Sequence, residues 1–335
     1  MYARLSLTAF VATLLSTSVC ADTIWLKDSD DRITGTVKLI DSGKVSITTT
    51  YAGTINIDLD KVASIETSQE LNIRPKNNAT EISSQLRPAA EPGDVRIGEV
   101  DIKATDIETA MLPKPPVDPN KTFWKGRTSL SGDWRRAEKD VDSYDFTIDL
   151  EARRGIWKHA IAGNYSFEKK NGDKTTDRYD LSYSLSRFIT EKLYWENKAK
   201  YVKDQVQDLR TQETIGTGIG YQLWDNELGA FSVSSLYNLN WYEFQDGTKE
   251  NFQSIGATWN YNRYLWSKDF EVFTKGDISA PLASQVDYTM DADAGVRYNI
   301  TQWVNLSLKG QWHKVSSKYG DVNERRILFG IGANW

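Results

Sequence analysis

The sequence predicts an all-β protein: an antiparallel transmembrane β-barrel of about twelve strands, preceded by a small SH3-like periplasmic β-domain and a Pro-rich linker. Three observations predict it. Beyond residue 122 apolar and polar residues alternate with period two over runs of about ten to fifteen residues, longer than an ordinary soluble strand and long enough for a tilted strand to cross a bilayer. The chain carries 12 Trp, 16 Tyr and 11 Phe at a mean hydropathy of only −0.53, as expected of a barrel with aromatic girdles at two membrane interfaces. The last residues, Ile327, Phe329, Ile331, Ala333 and Trp335, alternate up to a terminal aromatic.

Residues 1–21 read as a signal peptide. Arg4 supplies a positive start, Leu5 to Leu15 is apolar but too short to span, and Val19-Cys20-Ala21 places small residues before a cut ahead of Asp22. A buried N-terminal helix and a lipidated Cys20 are the alternatives; Thr17 and Val19 speak against the second. Cys20 is the only cysteine, so the processed chain has neither disulfide nor thiolate metal site.

Residues 22–67 read as five short strands: Thr23 to Leu26, Arg32 to Ile40, Lys44 to Thr50, Thr54 to Asp58 and Val62 to Thr67. Gly43 and Gly53 sit in the turns. The functional reading is a periplasmic interaction module; the alternative is a folded spacer. Residues 68–121 hold seven of the chain's 8 prolines and few apolar residues, which reads as a disordered linker. Ile97 to Ile107 alternates weakly and is left unassigned.

Residues 122–335 are the barrel. The expected strands are 124–136, 143–154, 158–169, 177–187, 193–203, 209–223, 228–244, 250–265, 269–279, 286–300, 303–314 and 323–335. The alternation is plain at Tyr179, Leu181, Tyr183 and Leu185 against Asp180, Ser182, Ser184 and Ser186. It holds from Val286 to Ile300, with Asp287, Asp291, Asp293 and Arg297 on the polar face. Connections sort into short aromatic-flanked turns, such as Gly155-Ile156-Trp157, and polar loops, such as Asn171 to Thr176. That is the asymmetry of periplasmic turns and external loops, and it places the protein in the cell outer membrane of a Gram-negative bacterium.

A net charge of −5 argues against nucleic-acid binding. His159 and His313 fall on opposite faces, so they cannot share a metal, and no serine is singled out beside either. No catalytic residue, metal or cofactor is expected, and the chain does not read as an enzyme. The inward charges are the distinctive feature: Asp145, Asp149, Glu151, Arg178, Asp287, Asp291, Asp293, Arg297 and Lys309 are the candidate lumen or solute-facing residues. Lys125, Arg127, Lys198, Lys200 and Arg326 share their face. They fit either a charged pore that selects a solute or an ion-pair network that fills a narrow barrel. Inward Gly216, Gly218, Gly220, Gly330 and Gly332 leave room for either. Phe329, Ile331 and Trp335 form the expected barrel-insertion signal.

Leu26-Lys27-Asp28, Asp31-Arg32-Ile33-Thr34-Gly35-Thr36-Val37, Tyr51-Ala52-Gly53 and Val62-Ala63-Ser64-Ile65, with the alternating C-terminal region, resemble the salt-induced outer-membrane proteins of Gram-negative bacteria (YdiY-like). The Asp28-Ser29-Asp30-Asp31 turn departs from that pattern in lacking a glycine. The resemblance implies an outer-membrane location and an envelope role under osmotic or salt stress, and implies no reaction. The expected function is a narrow, porin-like solute channel or an osmotic-stress envelope protein. The alternatives are a structural or adaptor barrel with a closed ion-paired lumen and a partner for residues 22–67, or a barrel enzyme acting on lipid or lipopolysaccharide. Expected partners are outer-membrane lipid, the barrel assembly machinery and a periplasmic partner of residues 22–67.

Overall fold

The computed structural model describes residues 21–335 except 78–79, 115–117, 136–139, 283–285 and 319–321. The signal-peptide reading falls on residues 1–20, outside the described residues, save for Ala21. The chain divides into two compact units, Met1–Ala110 and Met111–Trp335.

In the first unit the expected strands form as β1 (Asp22–Leu26), β2 (Arg32–Asp41), β3 (Lys44–Thr49), β4 (Gly53–Asp58) and β5 (Val62–Glu66). The disordered linker over 68–121 is corrected by the structure. That stretch contains β6 (Leu71–Pro75), β7 (Ile82–Ser84), β8 (Leu86–Pro88), β9 (Asp94–Ile97), β10 (Val100–Lys103) and β11 (Ile107–Met111). Its apolar residues are few but well placed: Leu71, Ile73, Leu86, Val95 and Ile107 are all buried. These strands are too short for period two to accumulate. Pro75 and Pro88 each close a strand, where a missing N–H costs no ladder bond.

The six added strands repeat the first five, with β7 and β8 together standing where β2 stands. In the first half β1 pairs with β2 and β5, β2 with β3, and β3 with β4. In the second half β6 pairs with β7 and β11, β8 with β9, and β9 with β10. A single 3-10 turn precedes the closing strand in each, at Leu59–Lys61 and at Ala104–Asp106. The backbone bonds that seat these turns also recur: Leu59 N–H to Gly43 O at 2.8 Å matches Ala104 N–H to Gly93 O at 2.9 Å. Lys27 N–H to Lys61 O and Lys76 N–H to Asp106 O are both 2.8 Å. Gly53 and Gly98 take the left-handed conformation at the equivalent hairpin, with φ of 68° and 62°. The halves share one core, because β11 lies between β2 and β6 in the larger sheet.

The second unit is a closed antiparallel barrel of β12 (Thr122–Arg135), β13 (Val141–Arg154), β14 (Trp157–Lys170), β15 (Asp173–Phe188), β16 (Leu193–Asp204), β17 (Leu209–Asn226), β18 (Gly229–Phe244), β19 (Lys249–Leu265), β20 (Phe270–Pro281), β21 (Val286–Asn299), β22 (Val304–Ser317) and β23 (Val322–Asn334). The seam joins β12 to β23, with Arg127 opposite Asn334 and Gly132 opposite Phe329. Reciprocal 3.0 Å bonds between Gly126 and Trp335 end it, and a Cβ at Gly126 would lie 2.1 Å from the Trp335 indole.

Leu130, Phe146, Ile161, Leu181, Ile215, Ile255, Leu308 and Phe329 stand exposed on the outer wall. Water would penalise that apolar surface, so the band faces hydrocarbon. Trp124, Trp157, Trp195, Trp303 and Trp335 gather at the end that holds the barrel's chain termini; Tyr144, Tyr179, Tyr201, Trp241 and Trp312 gather toward the other. One expected orientation is corrected. The register of β21 against β22 slips between Val286 and Tyr288, so Asp287 is the extra residue of a β-bulge and is exposed, while Val286 turns inward and is buried. The unbroken alternation read through Val286 cannot survive a bulge, which shifts parity by one.

Candidate functional site

The barrel interior is the candidate site, and its charged side chains form three groups. Toward the chain ends, Glu271 lies 2.9 Å from Arg127 and 3.1 Å from Arg297, whose guanidinium rests 3.4 Å from the Phe273 ring centre. Lys275 bonds Asp149 at 3.0 Å. At mid-height Asp145, wholly buried, accepts from Lys309 Nζ at 2.7 Å and Ser166 Oγ at 2.6 Å, with Arg326 3.9 Å away. Higher, Asp291 meets Lys200 and His313 at 2.5 Å and Arg178 at 3.4 Å. Arg178 also forks onto Asp180 at 3.0 and 2.9 Å, and Asp277 lies 3.4 Å from Lys200 and 3.6 Å from Lys198.

Most of these pairs join strands that are not neighbours: β12 with β20, β13 with β20, β13 with β22, and β16 with β21. The side chains therefore cross the lumen instead of lining it. Burial of a charge without a partner costs several kcal/mol, so such a crossing forms only where oppositely charged groups meet.

Apolar side chains pack at both ends of the interior. Leu209, Tyr242, Phe244, Phe252, Val286 and Val315 form one buried cluster at the rim away from the chain ends. At the other end Arg153 stacks on buried Phe188, 4.1 Å from its ring centre. Between them lies a polar chamber of about 40 Å³, bounded by Lys198, Lys200, Thr214, Asn238, Asn240 and Asp277 among others. That is room for a few water molecules. The space expected beside the inward glycines is already taken: a Cβ at Gly216, Gly218 or Gly220 would fall 2.1, 1.9 or 2.1 Å from Asn238, Ser235 or Tyr194.

Asp145, Asp149, Arg178, Asp291, Asp293, Arg297 and Lys309 all point inward, Asp293 directly opposite Lys275 in the ladder. Glu151 also shares that face but lies near the chain-end rim, 4.0 Å from Lys158 and partly exposed. Asp287 stands apart from them all on its bulge. Phe329, Ile331 and Trp335 are exposed on the outer wall. His313 is inward and bonded to Asp291; His159 is outward and bonded to the Tyr183 hydroxyl at 2.8 Å. Glu271, Lys275 and Asp277 are inward charges outside the sequence-predicted set. The same parity rule finds them, since Glu271, Phe273, Lys275 and Asp277 alternate along one strand.

The barrel is similar in fold to solved outer-membrane proteins. The NanC porin aligns at 8% identity over 63% of this chain and 99% of its own, with a TM-score of 0.41. The translocator domain of autotransporter NalP from Neisseria meningitidis aligns at 12% identity over 63% and 87%, with a TM-score of 0.34. The KdgM porin aligns at 7% identity over 64% and 98%, with a TM-score of 0.33. No curated protein matches the sequence. The family described as protein of unknown function, DUF481, matches residues 128–335, and the chain belongs to it.

Proposed function

We propose that this protein is an outer-membrane barrel with a closed, ion-paired lumen that serves to hold its N-terminal β-unit at the periplasmic face, where that unit binds an envelope partner. The observation that carries the reading is the set of buried ion pairs reaching across the lumen, above all Asp145 with Lys309 and Asp291 with Lys200. A conducting pore needs a continuous wet path. Here the polar chamber bounded by Lys200, Asn240 and Asp277 holds only about 40 Å³, below an apolar cluster. Phe329, Ile331 and Trp335 supply the signal for the assembly machinery, and no reaction is assigned to the chain. The osmotic or salt-stress association rests on the resemblance of residues 26–65 and the barrel to the salt-induced proteins.

The narrow solute channel is the second reading. It is favoured by the chamber itself, whose Asn238, Asn240 and Thr214 are polar groups a solute could bind once the mouth cluster opens. Planar-bilayer conductance of the purified full chain separates the two. The closed barrel predicts silence from protein that shows heat-modifiable migration. Discrete steps that change ion preference with Asp291→Asn would establish the channel instead.

A further inference from the structure

Lys314 and Arg325 differ from the paired inward cations in their partners. Arg127, Lys200, Lys275, Arg297 and Lys309 each meet a carboxylate inside the barrel. On the outer wall, at the rim away from the chain ends, Lys314 and Arg325 meet none among the described residues. Lys314 lies 5.0 Å from the Tyr288 ring centre, and Arg325 lies 4.9 Å from that of Trp312. The ladder sets Trp312 opposite Arg325 and Lys314 opposite Asn323, so the two cations are diagonal neighbours on one face. Diagonal positions stand about 7–8 Å apart at the backbone. Two like charges at that spacing repel each other unless an anion lies between them. Trp312 is also held, its Nε1–H donating to Asn323 at 3.1 Å.

Directly toward mid-membrane the wall is recessed. Gly310 pairs with Ala294, and Ala292 with Trp312, which leaves a floor of small side chains on β21 and β22. A Cβ at Gly310 would meet nothing nearer than 3.7 Å. Ile327, opposite Gly310 on β23 and one of the most exposed apolar residues of the barrel, forms one wall of this notch. A cation pair over an apolar notch matches an amphiphile, with its anionic head at the rim and a hydrocarbon chain below.

We propose that Lys314 and Arg325 bind a phosphate monoester of an outer-leaflet glycolipid, with one acyl chain lying in the Ala292–Ala294–Gly310 notch. The assignment rests on the outer-membrane reading, which turns this rim toward the outer leaflet. A monoester carries close to two negative charges at neutral pH, matching two cations, whereas a phosphodiester headgroup carries one.

The test is native mass spectrometry of the full chain titrated with bisphosphorylated lipid A, dephosphorylated lipid A, phosphatidylglycerol and inorganic phosphate. Lys314→Gln and Arg325→Gln are each expected to weaken lipid A binding about fivefold, and together about twenty-five-fold, since each cation near a lipid surface contributes about one factor of five. Lys249→Gln, on a distant part of the rim, is expected to leave binding unchanged. Equal binding by the wild type and the double variant overturns the site. Equal retention of phosphatidylglycerol overturns the monoester, and displacement by inorganic phosphate overturns the lipid source. Heat-modifiable migration and protease protection in vesicles separate the two failures. A wild-type barrel that inserts but binds no lipid A sinks this proposal alone, and one that never inserts sinks the membrane reading.

Discussion

Asp145→Asn is the sharpest probe of whether the lumen is closed. The carboxylate is fully buried and faces Lys309 at 2.7 Å, a lysine whose side chain is only 7% exposed, with Arg326 at 3.9 Å. Asparagine keeps the shape and the hydrogen bond from Ser166 but removes the charge, leaving buried Lys309 without the carboxylate it contacts. Breaking a buried pair from one side costs about 3–5 kcal/mol. With a urea slope of about 3 kcal/mol per molar, the unfolding midpoint falls by about 1–1.7 M. The measurement is urea unfolding of the full chain in lipid vesicles, followed by Trp fluorescence and by heat-modifiable electrophoretic migration. The double variant Asp145→Leu/Lys309→Met removes both charges and is expected to recover most of the loss, because apolar replacement of a buried pair is often neutral. A loss below about 1 kcal/mol for Asp145→Asn would mean that water reaches Lys309. The closed lumen would then be wrong, and the channel reading would take its place.

Asp287→Asn is expected to shift stability by no more than about 0.5 kcal/mol in the same assay, since the bulge holds its side chain outside the ion network. Gly220→Ala drives a Cβ to within 2.1 Å of the Tyr194 ring and should cost about 1–3 kcal/mol and lower the yield of heat-modifiable barrel. Ile24 and Ile73 are fully buried at equivalent places of the two repeats, so Ile24→Ala and Ile73→Ala should each lower the stability of the N-terminal unit by about 2–5 kcal/mol; a silent Ile73→Ala would restore the linker reading. Hydrogen bonds from Arg96 at 2.6 and 2.9 Å hold the Asp101 carboxyl below the usual carboxylate range. That contribution is present above the ordinary carboxylate pKa and is lost as pH falls through the lowered value. Arg96→Gln should therefore flatten the acid side of the stability profile of this unit, read by circular dichroism.

The barrel was legible because each of its strands carries the same instruction many times over. Tyr179, Leu181, Tyr183 and Leu185 agree on one face, and a single exception cannot reverse them. The second half of the N-terminal unit was hidden for the opposite reason. Its strands run three to five residues, Pro75, Pro88 and Pro92 interrupt it, and its likeness to the first half lies in turn geometry and backbone bonds, with few shared residues beyond Ile24 with Ile73, Lys27 with Lys76 and Gly53 with Gly98. Asp287 was misplaced because a bulge adds a residue without leaving a mark in the alternation.

By itself the sequence determined the class of the fold, the strands of the barrel, and which charges point inward wherever parity is unbroken. These follow from the period of two that the strands keep between bulges, whatever lies across from them. Only the tertiary structure decided what the inward charges do. Whether Asp145 faces water or Lys309 depends on a residue 164 positions away, brought near by closure of the sheet. Parity names the side of the wall a residue occupies. The partner it meets is set by barrel width, strand tilt and the register of the seam, and none of these is written in any one strand.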